Sequence, residues 1–167
     1  MSRSFDFAVE SAATVEQIHS AFCATEYWRS RLKAFGGFGR LDSLVTNDDG
    51  SVDIVVVQDL RRDGLPRLVA RFFPGSWRVV QNESWCPAAG GRVRGKVCIS
   101  THGAPGSGSG DILLSPAPSG STLECSATVE FRVPLVGAKI EFIMGHLLTQ
   151  QISTIQRFTA EWIAEQG

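Results

Sequence analysis

The sequence predicts an α+β protein: an antiparallel sheet of about seven strands, covered on one face by a single long C-terminal helix. Three observations carry that expectation. Short runs with apolar residues at every second position recur along the chain and are separated by turn residues. The last third, from Pro134 to Gln166, instead shows helical spacing. Consecutive hairpins force antiparallel pairing, and a sheet with one wet and one apolar face needs a cover.

The first run is Phe5, Phe7 and Val9, alternating with Asp6, Ala8 and Glu10. Thr14-Val15-Glu16-Gln17 then fits a capping box, with Thr14 as N-cap and Gln17 three residues on. Val15, Ile18 and Phe22 follow at helical spacing. A second short helix starts near Thr25, carries Tyr27, Trp28 and Leu32, and is broken by Gly36, Gly37 and Gly39. Leu41 to Thr46 and Val52 to Leu60 flank the turn Asn47-Asp48-Asp49-Gly50, a hairpin signal. Leu65 to Phe73 is a brief amphipathic segment, with Leu65, Leu68, Val69 and Phe72 on one face. Ser76 to Trp85 reads as a strand ending in the turn Pro87 to Gly91.

Alternation is clearest further on. Val93, Gly95, Val97 and Ile99 share one face, opposed by Arg92, Arg94, Lys96 and Cys98. Gly103 to Gly110 reads as a flexible connection before a short apolar strand, Asp111 to Ser115. Leu123, Cys125, Ala127, Val129, Phe131 and Val133 then alternate with polar residues, a strand with one wet face. In the final helix Pro134 suits the first turn. Its length would be roughly 50 Å at 1.5 Å per residue. Val136, Ile140, Met144, Leu147, Ile155, Phe158 and Trp162 form its apolar stripe, with His146, Gln150, Ser153, Arg157 and Ala160 opposite.

Composition bounds the function. The chain has 167 residues, 43% hydrophobic and 20% charged, with a net charge of −1. Such a length suits one domain spanning residues 1–167, and the balanced charge offers no basic stripe for nucleic acid. No apolar run reaches the roughly 20 residues of a membrane span. The N-terminus lacks the apolar core of a signal peptide, so a cytoplasmic location is expected. The four cysteines, Cys23, Cys86, Cys98 and Cys125, form no C-x-x-C pair. They read as reduced, small apolar core residues. No cofactor is expected.

The element order β-α-α-β-β-(α)-β-β-β-β-α resembles the helix-grip fold of the START, Bet v 1 and polyketide-cyclase-like superfamily. The resemblance spans essentially the whole chain. It is strongest at Ser4-Phe5-Asp6-Phe7-Ala8-Val9-Glu10 and over Val133-Pro134-Leu135-Val136-Gly137-Ala138-Lys139-Ile140-Glu141 through Phe158-Thr159-Ala160-Glu161-Trp162. The C-terminal part is similar to a subgroup of uncharacterised bacterial members with one domain. What the resemblance implies is a curved sheet gripping the long helix, with a cavity between them for a hydrophobic ligand such as a lipid, sterol, fatty acyl chain or polyketide. On that reading Ile54, Val56, Val97, Ile99, Cys125, Ala127, Met144, Leu147, Leu148, Gln151 and Ile155 line it. The superfamily shares no catalytic motif, and fold alone does not fix function.

The chemistry-bearing residues leave a binding role ahead of catalysis. His19, His102 and His146 have no ligand spacing to one another, and no Ser sits in a G-x-S-x-G elbow. His146 and His102 read as solvated, His19 as half-buried. The glycine-rich segment matches no phosphate-binding fingerprint. Gln151 sits in the apolar stripe, where a buried amide needs a partner. That partner is either the sheet or a ligand headgroup. Gln81 and Glu83 share a strand face with Trp77, Val79 and Trp85, whereas Val80 argues for the opposite register, so their direction stays open. If the face is inward, Glu83 or Tyr27 could serve as a cavity acid or base in the alternative reading, a polyketide cyclase or aromatase-like enzyme. Leu68, Phe72 and Phe73, with Arg67 and Arg71 beside them, form either a surface helix over the sheet edge or a lid making transient membrane contact. Gly95 and Ala127 leave room on the sheet side.

Overall fold

Each strand pairs with its neighbour over a long, nearly uninterrupted antiparallel register. The protein is described by a computed structural model over residues 2–36, 39–60, 67–72, 75, 77–103 and 105–167, apart from the side chains of Leu60, Val69 and Phe72. The elements run β1 (Ser2–Ser11), α1 (Val15–Phe22), α2 (Thr25–Ala34), β2 (Gly39–Thr46), β3 (Val52–Leu60), α3 (Arg67–Phe72), β4 (Trp77–Ala88), β5 (Arg92–His102), β6 (Gly106–Ala117), β7 (Gly120–Phe131) and α4 (Gly137–Gln166). The seven strands form one sheet in the order β1-β7-β6-β5-β4-β3-β2. β1 closes onto the last strand, so the two edges of the sheet are β1 and β2. This is the helix-grip arrangement that the sequence predicts.

Local chemistry explains the connections. The capping box forms as expected: Gln17 N–H donates to Thr14 Oγ1 at 3.2 Å, and Thr14 N–H donates to Gln17 Oε1 at 2.9 Å. In the β2–β3 turn, Asp49 Oδ1 accepts from Ser51 N–H at 2.9 Å, and Gly50 takes a left-handed φ of 85°.

Several expectations need correction. β6 begins at Gly106, so most of the glycine-rich segment is strand rather than loop. Ladders to β5 and β7 on both sides supply the order that its side chains do not. β4 continues through Pro87 to Ala88. The final helix starts at Gly137, because Leu135 adopts φ 71° and interrupts the helical path after Pro134. Only Cys125 among the four cysteines is buried. Cys86 and Cys98 sit on outward strand positions, and all four are free thiols. Gly95 leaves no room either, since a Cβ there would lie 2.4 Å from the Trp85 ring.

The helix face is the largest correction. The residues of α4 that are buried include Ile140, Glu141, Gly145, Gln156 and Thr159. At 100° per residue, the centre of this face is rotated by roughly 80° from the predicted apolar stripe. For three of these residues a hydrogen bond or a close approach explains the inward position. Glu141 Oε2 accepts from the backbone N–H of Phe131 at 2.9 Å. Thr159 Oγ1 lies 2.7 Å from the Tyr27 hydroxyl. Gly145 lets α4 approach the ring of Phe5, which occupies the space a Cβ would need.

The concave side is packed at two ends. At one, Phe22 of α1 and Tyr27 and Trp28 of α2 meet Trp85, with Phe22 and Trp85 rings 4.7 Å apart. At the other, Trp77, Phe131 and Ile140 form a second cluster joined by Leu68, Val136 and Met144. α4 packs chiefly on β1 and β7. No helix among the described residues is long and apolar enough to cross a membrane.

Candidate functional site

The register resolves which strand faces meet on the concave side. Ile54, Glu83, Val97, Gly110 and Ala127 form one cross-strand row. Val56, Gln81, Ile99, Gly108 and Val129 form the next. Gln81 and Glu83 therefore face inward, and Val80 outward. Side chains are missing from two consecutive inward positions of β6, Gly108 and Gly110. An added Cβ at Gly108 would stand in ordinary van der Waals contact, 3.6 Å from the Thr128 carbonyl oxygen and 3.8 Å from Ile99.

The predicted lining residues fall into groups. Ile54 and Val56 are buried at 1% and 2% exposure, and Ala127 is buried with them. Val97 and Ile99, the middle of the floor, are only half-buried. Cys125 lies one row along, packed with Ile112 and Trp85 in the aromatic end of the core. On α4, Met144, Leu148 and Ile155 are half-buried, whereas Leu147 is 40% exposed and Gln151 is exposed. Gln151 thus needs no interior partner, contrary to the expectation of a buried amide. Of the possible lid, Leu68 packs against the Trp77 cluster, while the Phe72 side chain and Phe73 lie outside the described residues.

The flank of α4 carrying Ile140, Met144, Leu147, Gln151, Ile155, Phe158 and Trp162 is covered at both ends but open in its middle. Ile140 and Met144 join the Trp77 cluster. Phe158 stands 5.7 Å from Phe35 and 6.2 Å from Tyr27, and Trp162 is 5.4 Å from Tyr27, ring centre to ring centre. Between these two contacts Leu147 and Gln151 have no such cover. The same flank therefore meets the Trp77 cluster at one end and Phe35, just after α2, at the other.

One polar constellation sits within this frame, and the sequence did not single out its cation. Glu83 is 4% exposed. Its Oε1 accepts from Trp85 Nε1 at 3.0 Å, and its Oε2 accepts from Gln81 Nε2. Arg31 Nη2 of α2 lies 3.8 Å from Oε2, and the guanidinium covers the Trp28 ring at 4.6 Å. Burial would lower the Arg31 pKa, but the Tyr27 phenol and the Glu83 carboxylate outweigh it and hold it above the ordinary value. A signal for Arg31 was present: it follows Tyr27 by four residues and Trp28 by three, on the helix face they bury.

The other candidates are peripheral. His102 and His146 are exposed, and His19 is half-buried with its Nε2 4.0 Å from Cys23 Sγ. No group of metal-ligating side chains occurs among the described residues. An open depression of about 560 Å³ lies on the outer face of β1, β7, β6 and β5, where Asp6, Asp111 and Glu124 stand with Arg94.

Comparison with known proteins agrees with this architecture. The sequence model of a family described as a protein of unknown function, DUF2505, matches residues 6–163. The chain belongs to the DUF2505 family. An uncharacterized protein of Mycobacterium tuberculosis is 34% identical over 170 residues, covering 98% of both chains. Among solved structures, Ara h 8.0201 matches with a TM-score of 0.60 at 12% identity, covering 99% of each chain. A START superfamily protein from Mycobacterium smegmatis matches with a TM-score of 0.54 at 14% identity, covering 96% of this chain and 98% of that one. At these identities the likeness establishes a START and Bet v 1-like fold for this DUF2505 member, and the site must be argued from its own residues.

Proposed function

We propose that this DUF2505 protein binds or carries a hydrophobic small molecule between the concave face of β3–β6 and the middle of α4, without catalysis. One observation carries the reading: the apolar flank of α4 is packed at both ends and uncovered in between, opposite a floor that lacks side chains at Gly108 and Gly110. Binding sites for small molecules are mostly apolar with few polar groups that fix orientation, and the Arg31–Glu83 constellation supplies such a group. Ile54, Val56, Val97, Ile99 and Ala127 form the floor, with Cys125 at its aromatic end. Met144, Leu147, Leu148, Gln151 and Ile155 form the helical wall. The ligand class is a lipid, sterol, fatty acyl chain or polyketide-like molecule. The reading includes a lid formed by Leu68, Phe72 and Phe73; of these only Leu68 has a described side chain, and Arg67 and Arg71 beside it are exposed, which suits transient contact with a membrane surface.

Native mass spectrometry of the purified protein, before and after exposure to a lipid extract, tests this. Retained apolar ligands and a raised melting temperature are expected. No adduct and an unmoved melting temperature would count against binding.

A second reading, a polyketide cyclase or aromatase-like enzyme, draws on the inward direction of Glu83 next to Arg31 and Tyr27. Incubation with a poly-β-keto substrate tests it: a changed product profile that reverts in Glu83→Gln supports acid–base chemistry, and an identical profile removes it.

A further inference from the structure

The two edges of the sheet are built differently. β2 carries a register shift between Leu41 and Ser43, and such a bulge blunts an edge against further pairing. β1 has none. Its residues Ser2–Ser11 pair one for one with Glu130–Ser121 of β7 without a shift, so the edge runs straight for roughly 33 Å at 3.3 Å per residue. It contains no proline and no lysine, the residues that most often guard an edge. Among the described residues, no strand lies beyond it, and no backbone–backbone hydrogen bond outside the β7 ladder reaches it. In an antiparallel ladder every second residue turns its N–H and C=O away from the partner strand. The free side of β1 is therefore a row of open donors and acceptors.

The side chains at this edge divide by face. Phe5, Phe7 and Val9 point to the concave side, opposite Ala127, Cys125 and Leu123 of β7. The three β7 residues are buried, yet Phe5, Phe7 and Val9 are only half-buried, although α4 packs on both strands. Their open flank is the edge itself. Phe142 of α4 adds a ring that is 55% exposed, with the Arg3 guanidinium 5.3 Å from its centre. The outward positions of β1 and β7 carry Asp6, Glu10, Glu124 and Glu130 and no cation. Asp6 and Glu10 are exposed, and neither makes an ion pair among the described residues. A strand laid beside β1 thus meets an apolar row on one face and a negative row on the other. A second copy of β1 would add two more carboxylates to that row, whereas cations at these positions would neutralise it. We propose that the free edge of β1 docks an extended polypeptide segment in which apolar residues alternate with lysine or arginine. The segment adds a strand to the sheet, its apolar side chains against Phe5, Phe7 and Phe142 and its cations over Asp6 and Glu10.

Fluorescence anisotropy of labelled octapeptides, titrated with the full chain at low ionic strength, tests this. Three peptides are compared: lysine alternating with valine, glutamate alternating with valine, and the lysine peptide with its two residue types in separate blocks. The alternating lysine peptide is expected to bind saturably and at least tenfold more tightly than either of the others. Amide hydrogen exchange along Ser2–Glu10 is expected to slow when it binds. In the double variant Asp6→Lys with Glu10→Lys, both at exposed positions and with the melting temperature measured alongside, the preference is expected to reverse toward the glutamate peptide. Equal binding of the alternating and block peptides would overturn the proposal, because charge alone would then account for it. So would the absence of saturable binding, or a lysine preference that survives the charge reversal. A natural protein that sediments as a dimer with its β1 amides already protected would assign the edge to a second copy, which also overturns it.

Discussion

Arg31 of α2 and Glu83 of β4 face each other across 3.8 Å inside the concave side of the sheet. A buried ion pair is weak evidence for stability, because desolvation of both charges offsets their attraction. Its location is more informative. It lies where the aromatic end of the core, built on Trp28 and Trp85, gives way to the aliphatic floor at Val97 and Ile99. The pair stands between the packed aromatic core and the half-buried aliphatic residues of the sheet, and it ties α2 to β4 there.

Tyr27→Phe removes the hydroxyl that donates to Thr159 at 2.7 Å and keeps the ring between Trp28 and Trp162. Thr159 stays satisfied as a donor through Ile155. The expected loss is about 1 kcal/mol. Urea unfolding should show a lower midpoint and an unchanged slope.

Gly95→Ala places a methyl group where the Trp85 ring now lies, 2.4 Å from its nearest atom. Trp85 cannot move aside freely, because its indole N–H is bonded to Glu83 and its ring packs on Phe22. Overpacking of this kind costs about 1–3 kcal/mol. A thermal melt should register the drop, along with a changed indole fluorescence.

The thiol of Cys125 is pushed up to about 11 by burial, with the charges of Asp111 and Asp6 adding to it. The folded state thus favours the protonated thiol. Its contribution to stability is fully present below the unfolded value of 9.0 and is lost as pH rises through about 11. Denaturation curves taken between pH 8 and pH 11 should show this decline, and Cys125→Ala should flatten it. Iodoacetamide at pH 8 should modify the exposed Cys86 and Cys98 well before Cys125.

Where side chains alternate, the sequence was a good guide. The β5 and β7 faces follow their period-two pattern, and Thr14 with Gln17 announces the start of α1. The β6 strand was hidden because Gly106, Gly108 and Gly110 carry no pattern, and glycine is depleted in strands. Pairing on both sides decides their conformation. The buried face of α4 was hidden for another reason. Hydrophobic periodicity cannot register that Glu141 is satisfied by the Phe131 N–H, Thr159 by Tyr27, and that Gly145 is required by the ring of Phe5. At the site, the inward direction of Gln81 and Glu83 depended on a register that Val80 obscured. Nothing in the apolar pattern singles out Arg31, although its spacing from Tyr27 and Trp28 places it on their face.

The central claim is that the floor above Gly108 is space for a ligand. Gly108→Leu introduces a branched side chain at this inward position, where its Cβ would stand in ordinary van der Waals contact, 3.6 Å from the nearest backbone atom. Titration of N-phenyl-1-naphthylamine into the natural protein and this variant, with melting temperatures measured in parallel, tests the claim directly. The account predicts saturable binding by the natural protein and at least a tenfold weaker affinity in Gly108→Leu, with the fold retained. Equal affinity in the two proteins would contradict it.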